Sequence, residues 1–239
     1  MDYGKILSKR VQELKPSGIR KFFDIAANME NVISLSIGEP DFKTPWAVRA
    51  AAIETLEKGR TTYTANSGLA NLRLEITRYM ARKFGLSYHP EDETLVTVGG
   101  SEAIDLCIRA MIEPGDEVLV VEPCFVAYAP IIEMMHGIPV SVETVAEEGF
   151  RLTAARLRAK LTPKTKLLVL PYPNNPTGAI MRREHLEEIA EVLRSTNIMV
   201  LSDEIYAELT YTGRHVSIAS LPGMRERTVV KSDRSHVVL

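Results

Sequence analysis

The chain has 239 residues, a formal net charge of −2 and a hydrophobic fraction of 45%, which are ordinary values for a globular protein. It has neither a basic surplus nor an apolar run of membrane-spanning length, so no nucleic-acid partner and no membrane partner are expected. Two cysteines, Cys107 and Cys124, provide no disulfide framework, and the charged N-terminus lacks the apolar segment of a signal peptide, so a cytoplasmic location is predicted.

The N-terminal region predicts two short helices followed by an extended stretch. Helical patterns cover residues 6–14 and 19–29, and a Pro-Ser-Gly break separates them. The apolar residues 33–37 then lead into a turn that begins at Gly38. A glycine lets a ligand approach the backbone closely, although an ordinary proline-containing turn explains the same residues.

Two helices are predicted on either side of a loop that carries Tyr63. Residues 45–58 contain four apolar side chains at helical spacing: Trp46, Ala50, Ile53 and Leu56. This spacing predicts a helix that faces the core, and residues 72–84 form the second predicted helix. A lone tyrosine in a loop is usually a half-buried packing residue, so the residues around Tyr63 do not by themselves give it a role.

A strand, a glycine turn and a helix are predicted within residues 94–111. Backbone N–H groups at the start of a helix lack intrahelical partners and lie at the positive end of the helix dipole, so they bind anions. Gly100, Ser101 and Glu102 are therefore candidates for a phosphate site. A strand–helix turn without a ligand explains them equally well. Neither GxGxxG nor GxxxxGK[ST] occurs there, which disfavours a dinucleotide or P-loop site.

Phe125 follows the predicted strand at residues 116–121, at the end where a ligand crevice would lie. Its flat ring is suited to contact another aromatic ring and to exclude water, although an aromatic residue after a strand is more often part of the core. Tyr128 is expected to line the same crevice, and Cys124 is expected to contribute only packing.

The chain then contains a strand–helix–strand unit whose apolar runs lie at residues 167–170 and 198–201. Each run is apolar on consecutive residues, as in parallel strands that are buried on both faces. The repeated order of strand, turn and helix predicts an α/β fold with three layers, α/β/α, and a mostly parallel sheet.

Polar residues follow both of these strands. Ligands bind beyond the carboxyl ends of parallel strands, so Asn174 and Asn175 should share one site with residues 203–206. Asp203 on its own could cap a helix, but capping does not explain Asn175 at the end of the neighbouring strand. The two strand ends together therefore predict a binding site.

Three motifs in this order carry a family resemblance: GEPDF at residues 38–42, NNPTG at 174–178 and SDEIY at 202–206. The chain resembles the class I and II aminotransferases, pyridoxal-phosphate (PLP) enzymes of fold type I that include the aspartate and aromatic aminotransferases, up to about residue 230. The resemblance implies an N-terminal arm and small-domain segment at residues 1–44 and a PLP-binding large domain at residues 45–239. It also implies amino acid and 2-oxo acid substrates and a homodimer.

The resemblance gives roles to residues around the cofactor. In such enzymes the counterparts of Gly100, Ser101 and Glu102 hold the PLP phosphate, and the counterpart of Tyr63 reaches that phosphate from the partner subunit. Gly38 corresponds to a residue beside the substrate carboxylate.

The remaining implied roles concern the pyridine ring. Phe125 corresponds to an aromatic residue that stacks on the ring, and Asp203 to a carboxylate that pairs with its protonated nitrogen. Asn175 and Tyr206 correspond to donors to the phenolic oxygen. A charged partner at the nitrogen keeps the ring able to accept electrons from the substrate.

The resemblance is lost after residue 230. The family pattern continues to a lysine that binds PLP covalently, and His236 stands at that position in this sequence. Lys231 lies five positions earlier, at the end of the last predicted strand and near the mouth of the crevice. The chain is therefore expected to be an incomplete aminotransferase without the C-terminal small domain, with no catalytic lysine and at most weak, non-covalent PLP binding.

Two other interpretations remain beside this one. The chain could be a non-catalytic module of the same fold that binds PLP or a protein partner, or a nucleotide-binding α/β domain, which the missing glycine motifs disfavour. The five histidines lack the short spacings of zinc sites, so no metal site is expected.

Overall fold

The computed structural model describes residues 3–14, 29, 33, 42–232 and 237–238. The chain divides into a smaller unit, residues 13–64, and a larger unit formed by residues 1–12 and 65–239. The domain boundary that the sequence predicts between residues 44 and 45 stays a prediction. No helix in the described ranges has both the length and the apolar composition that a membrane span requires.

The larger unit contains a seven-stranded sheet whose strands are β1 (Leu95–Val96), β2 (Glu117–Glu122), β3 (Ile138–Glu143), β4 (Thr165–Leu170), β5 (Met199–Asp203), β6 (Thr228–Ser232) and β7 (Val237–Val238). Their order in space is β1-β7-β6-β5-β4-β2-β3. The five strands from β6 to β3 are parallel, and β7 pairs antiparallel with β6 and with β1. The predicted mostly parallel sheet is confirmed.

Seven α-helices occur in the described residues: α1 (Lys9–Glu13), α2 (Trp46–Glu57), α3 (Ala70–Phe84), α4 (Gly100–Met111), α5 (Tyr128–Met134), α6 (Ala154–Lys160) and α7 (Arg183–Arg194). Single turns of 3₁₀-helix lie at Tyr3–Lys5, Ala146–Glu148, Ala207–Leu209, Ile218–Ser220 and Arg225–Arg227. The predicted helix at residues 6–14 is therefore shorter in the structure, and the one predicted at 19–29 lies outside the described residues apart from Met29.

Alternate residues of the central strands point to opposite faces of the sheet, and helices pack on these residues on both faces. On β2, Leu119 and Val121 belong to a core that includes Leu157 of α6 and Ile189 of α7. Val118, the neighbour of Leu119, belongs to a second core with residues of α4 and α5. The predicted three-layer α/β/α architecture is confirmed, and helix α4 is thereby held with its first turn beside the carboxyl ends of the strands.

Helix α2 was predicted to face the core, and this prediction is wrong. None of its residues is buried, and Trp46 and Leu56 are 65% and 66% exposed. Ala47, Val48, Ala51 and Ala52 lie off the face that Trp46, Ala50, Ile53 and Leu56 share, so the apolar residues do not form one narrow stripe.

Candidate functional site

A pocket opens at the carboxyl ends of β4 and β5, next to the first turn of α4. It is lined by seven of the residues that the sequence predicts for a site: Gly100, Ser101, Phe125, Tyr128, Asn175, Asp203 and Tyr206. The parallel register brings the strand ends level, because Leu170 pairs with Ser202 on the adjacent strand. The prediction that Asn175 and Asp203 meet at one end of the sheet is confirmed.

The first turn of α4 forms one side of this pocket. Helix α4 begins at Gly100, and its N-cap residue Gly99 has φ 95° and no side chain that could cap the helix. The first backbone N–H groups of a helix have no intrahelical acceptor, so those of Gly100 and Ser101 are available to an anion in the pocket. The Ser101 side chain is exposed, which leaves its hydroxyl accessible as well.

Glu102 was predicted to join these residues because its backbone N–H also lies at the helix start, and that role stays a prediction. Its side chain does not line the pocket. The carboxylate of Glu102 is exposed and accepts a hydrogen bond from the backbone N–H of Val98. This contact ties the turn before α4 to the first turn of the helix. It differs from a capping box because the donor, Val98, precedes the N-cap residue Gly99. The structure therefore brings Gly100 and Ser101 into the pocket without the carboxylate of Glu102, which would repel an anion.

Aromatic side chains form another wall. Phe125 lines the pocket and packs edge-to-face against Tyr128, with ring centroids 5.9 Å apart. Beside it, burial raises the pKa of the Cys124 thiol to about 12, with a smaller contribution from the charge of Glu122. Cys124 is thus a neutral thiol near neutral pH and supplies no nucleophile to this wall.

The two adjacent asparagines have different positions. Asn174 is 6% exposed, and its amide donates to the carbonyl of Pro123 at 3.1 Å and to that of Pro171 at 3.4 Å. Its side-chain oxygen accepts from the backbone N–H and the hydroxyl of Thr177. Asn175 is exposed and lines the pocket. The expectation that both asparagines face the site therefore holds for Asn175 only, and Asn174 instead joins the loops after β2 and β4.

Asp203 is the carboxylate among the pocket's described lining residues, and only 4% of its surface is exposed. The hydroxyl of Tyr128 donates to its Oδ2 at 2.7 Å, and the backbone N–H of Ile205 donates to its Oδ1 at 3.3 Å. Burial, reinforced by the Asp203 charge, raises the pKa of Tyr128, so this tyrosine stays protonated and acts as a donor. The bond from Ile205 holds the turn that follows Asp203. The alternative interpretation, in which Asp203 caps a helix, is wrong, because the next helical turn is Ala207–Leu209 and its N-cap residue is Tyr206.

Lys231 is a pocket residue that the sequence placed only near the mouth of the crevice. Its Nζ lies 3.0 Å from Oδ1 and 3.1 Å from Oδ2 of Asp203, and both side chains are at most 5% exposed. The two residues are register partners on β5 and β6, so they project from the same face of the sheet. That register is the signal that could have revealed this ion pair, but it requires knowing which strands are neighbours.

A buried polar network lies next to the pocket and was not predicted. Glu204 is 2% exposed, and its carboxylate accepts hydrogen bonds from Ser202 and Ser217 and contacts Nε2 of His215 at 2.7 Å. Its backbone N–H donates to the carbonyl of Lys231 at 2.8 Å. Because buried polar groups need partners, this network fixes the chain immediately after Asp203.

Three further predicted residues lie in the smaller unit or outside the described residues. Tyr63 belongs to the smaller unit, and its side chain is fully exposed. Gly38 and His236 lie outside the described residues. In the part of the chain that the structure describes, no group of three or more His, Cys, Asp or Glu side chains is placed to hold a metal ion.

Comparison with known proteins gives consistent matches. A family model described as aminotransferase class I and II matches residues 30–235. YugH of Bacillus subtilis (strain 168), a protein assigned to the aminotransferases by name, is 57% identical over 226 residues. The aspartate aminotransferase of Pyrococcus abyssi is 43% identical over 224 residues. These alignments cover 95% and 93% of this chain, and the chain spans 58% of the length of each relative.

A solved structure gives the same result for the fold. The aspartate aminotransferase of Thermus thermophilus, determined with maleate, superimposes with a TM-score of 0.91 and 37% sequence identity. The match covers 97% of this chain and 63% of that chain. The pocket therefore lies in a fold shared with enzymes of this kind.

Proposed function

Since this chain belongs to the class I and II aminotransferases, we propose that it carries the cofactor-binding part of an enzyme that transfers an amino group from an L-amino acid to a 2-oxo acid. The observation that carries the proposal is the pocket itself. It joins a helix N-terminus, an aromatic wall, an amide and a buried carboxylate at the carboxyl ends of parallel strands. The proposed cofactor is PLP, which the family uses.

The phosphate end of the pocket fits this cofactor. Gly100 and Ser101 offer backbone N–H groups at the positive end of the α4 dipole, and Ser101 adds a hydroxyl. Since Glu102 is turned away toward Val98, no carboxylate in this first turn opposes a phosphate. We therefore assign Gly100 and Ser101 as the residues that would hold the phosphate.

The residues at the other end of the pocket fit the pyridine ring of PLP only in part. Phe125 offers a flat apolar surface, and Asn175 and Tyr206 offer donors to the phenolic oxygen. PLP, when bound, supplies a ring that accepts electrons as the substrate loses its α-proton. Asp203 would hold the ring nitrogen in its protonated form, but here Lys231 already contacts that carboxylate. The residues therefore fit the phosphate and the aromatic ring, and the surroundings of Asp203 do not fit a second cation.

We propose further that the 239-residue chain does not itself transfer amino groups. The family pattern requires a lysine that binds PLP covalently and moves the substrate proton, and His236 stands at that position. An imidazole can accept a proton, but it cannot replace a primary amine in the covalent bond to the cofactor. We propose in addition that the chain forms a homodimer in which Tyr63 reaches the phosphate site of the partner subunit. We also propose a cytoplasmic location. The full exposure of Tyr63 supports that role.

Calorimetric titration tests this proposal with pyridoxine 5′-phosphate, a PLP analogue without the aldehyde that would react with surface lysines. The wild-type chain should bind it, and Ser101→Ala and Asn175→Ala should each weaken binding about tenfold, since each removes a polar contact to a charged group. Ser87→Ala, on an exposed loop, is the matched control and should bind as the wild type does.

A second assay addresses catalysis. The chain incubated with PLP, aspartate and 2-oxoglutarate should produce no glutamate above the rate of the free cofactor. Binding that is insensitive to both Ser101→Ala and Asn175→Ala would place the ligand elsewhere and contradict the proposed pocket. Amino-group transfer above the free-cofactor rate would contradict the proposed lack of catalysis.

A further inference from the structure

The carboxylate of Asp203 has no free acceptor position while Lys231 is in place. A carboxylate has two oxygens and about four lone-pair positions. Oδ1 receives Lys231 Nζ at 3.0 Å and the N–H of Ile205 at 3.3 Å, and Oδ2 receives Lys231 Nζ at 3.1 Å and the hydroxyl of Tyr128 at 2.7 Å. A ligand nitrogen could bond to Asp203 only by displacing one of these donors.

The position of Lys231 follows from the fold. Its register pairing with Asp203 across β5 and β6 places both side chains on the same face. The end of the Lys231 side chain also lies directly against Gly100, the first residue of α4. A Cβ on Gly100 would be 2.3 Å from Lys231 Cε and 2.5 Å from Nζ. Only a glycine at position 100 leaves room for the lysine in this position.

Electrostatics indicate that Asp203 is what holds Lys231 there. The positive end of the α4 dipole disfavours a cation beside Gly100, and burial disfavours an unpaired ammonium. The single negative charge of Asp203 offsets both effects. A ligand with a cationic ring nitrogen would bring a second positive charge to the same buried carboxylate, which could neutralise only one of the two.

We propose that Lys231 determines the ligand specificity of this pocket by occupying, at Asp203, the place that a ligand's cationic ring nitrogen would take. The pocket then binds the phosphate and the aromatic ring of a ligand but gains nothing from a ring nitrogen. Its preferred ligands are aromatic phosphate monoesters as a class, with or without a basic nitrogen. This inference rests on the proposed cofactor pocket and narrows its chemistry.

The same geometry shows that Lys231 is not a substitute for the missing anchoring lysine. In PLP the ring nitrogen and the aldehyde carbon lie on opposite sides of the ring. Lys231 contacts Asp203, the residue proposed for the nitrogen side, so its amine lies at the wrong end of the ring for a covalent bond to the aldehyde. Lys231 is thus a competitor for the cofactor's nitrogen site and takes no part in the transfer.

The test compares two probes that differ in one atom: pyridoxine 5′-phosphate and its 1-deaza analogue, in which C–H replaces the ring nitrogen. The wild-type chain should bind both with dissociation constants within about threefold of each other, since neither bonds to Asp203. Lys231→Met frees Asp203 for the nitrogen, and it should change the ratio of the two affinities about tenfold in favour of pyridoxine 5′-phosphate. Both probes carry the same phosphate, so any effect of the lost lysine charge on the phosphate beside Gly100 cancels in this ratio. Calorimetry measures all four affinities without any turnover.

Lys166→Met is the matched control. Lys166 also lies on a central strand and also pairs with an aspartate, with its Nζ 2.9 Å from Oδ2 of Asp116, but it is near the amino end of β4, away from the pocket. This variant should leave both affinities unchanged. A similar change of the ratio in Lys166→Met would show that removing any lysine charge suffices, and it would overturn the inference.

The outcomes separate this inference from the proposed function. A wild-type chain that prefers pyridoxine 5′-phosphate over the 1-deaza analogue by tenfold or more would overturn the role of Lys231 and leave the cofactor pocket intact. Failure of the wild-type chain to bind either probe would overturn the proposed pocket and the inference with it. Thermal unfolding checks that Lys231→Met is folded. If it is not, the ratio of the wild-type chain's affinities for the two probes decides between the two outcomes without that variant.

Discussion

The hydroxyl of Tyr128 lies 2.7 Å from Oδ2 of Asp203, and both side chains are almost fully buried. This bond joins the first turn of α5 to the end of β5, and it thereby connects the aromatic wall of the pocket to its carboxylate. A neutral donor of this kind orients the carboxylate without cancelling its charge. Asp203 therefore keeps its position whether its charge is balanced by Lys231 or by a ligand.

Replacing Tyr128 with phenylalanine should destabilise the chain by about 1.5 kcal/mol, since a hydrogen bond to a buried charged group is lost while the ring packing is kept. Urea unfolding followed by circular dichroism measures the change. Tyr88 provides a control because its buried hydroxyl has no hydrogen-bond partner within the described ranges. Tyr88→Phe should be neutral or slightly stabilising, and equal losses in both variants would show that the Tyr128–Asp203 bond is not the cause.

The two adjacent asparagines should respond in opposite ways to removal of their amides. Asn174→Ala leaves the part-buried carbonyl of Pro123, the buried carbonyl of Pro171 and the Thr177 donors without their partners, so a loss of about 2 to 3 kcal/mol in unfolding free energy is expected. Asn175→Ala removes an exposed side chain and should change stability by less than about 0.5 kcal/mol while weakening pyridoxine 5′-phosphate binding. Stability losses of the same size in the two variants would contradict this division of roles.

A double-mutant cycle tests the close approach of Lys231 to Gly100. Gly100→Ala places a Cβ where the Lys231 side chain lies, so the end of the lysine side chain must shift from its position beside Asp203. Gly100→Ala should therefore destabilise the wild-type chain more than it destabilises Lys231→Ala, with a coupling of at least about 0.5 kcal/mol in unfolding free energy. Additive effects within error would mean that the two side chains do not share this space.

His185 should make the chain less stable on the acid side of neutrality. The backbone N–H of Arg182 donates to its Nδ1, and Nη1 of Arg151 lies 2.6 Å from its Nε2. Burial, followed by the Arg151 charge, lowers the pKa of His185. A group with a lowered folded pKa binds protons more weakly when folded, so its contribution is present above about pH 6.5 and is lost as the pH falls below that value.

Melting temperatures measured between pH 7.5 and 5 should therefore fall less in His185→Gln than in the wild-type chain. His89, which is exposed beside Asp92, provides the control, and His89→Gln should retain the wild-type pH dependence. If His185→Gln and the wild-type chain show parallel curves, another group causes any acid destabilisation.

Sequence alone could predict the parts of the fold that depend on local chemistry. The continuous apolar runs of β4 and β5 indicate parallel strands buried on both faces, and the polar residues after them indicate the site, because strand ends in a parallel sheet meet at one edge. Gly100, Asn175 and Asp203 follow from these rules, and the structure places all three in one pocket.

The features that sequence could not predict depend on long-range partners. The contact between Lys231 and Asp203 requires the pairing of β5 with β6, and adjacent asparagines give no indication of which one is buried. The carboxylate of Glu102 accepts from the backbone N–H of Val98, which keeps it out of the pocket, and the sequence pattern does not indicate this contact. Helix α2 is another example. Its apolar spacing predicts a face that is suited to burial, but whether that face is buried depends on another surface packing on it.

The most direct test of the cofactor pocket is a crystal structure of the chain with pyridoxine 5′-phosphate. The expected result is a phosphate within hydrogen-bond distance of the backbone N–H groups of Gly100 and Ser101, with the ring against Phe125 and its phenolic oxygen beside Asn175 and Tyr206. A saturated crystal in which the ligand binds outside this pocket, or in which its phosphate lies away from the first turn of α4, would contradict the proposed function.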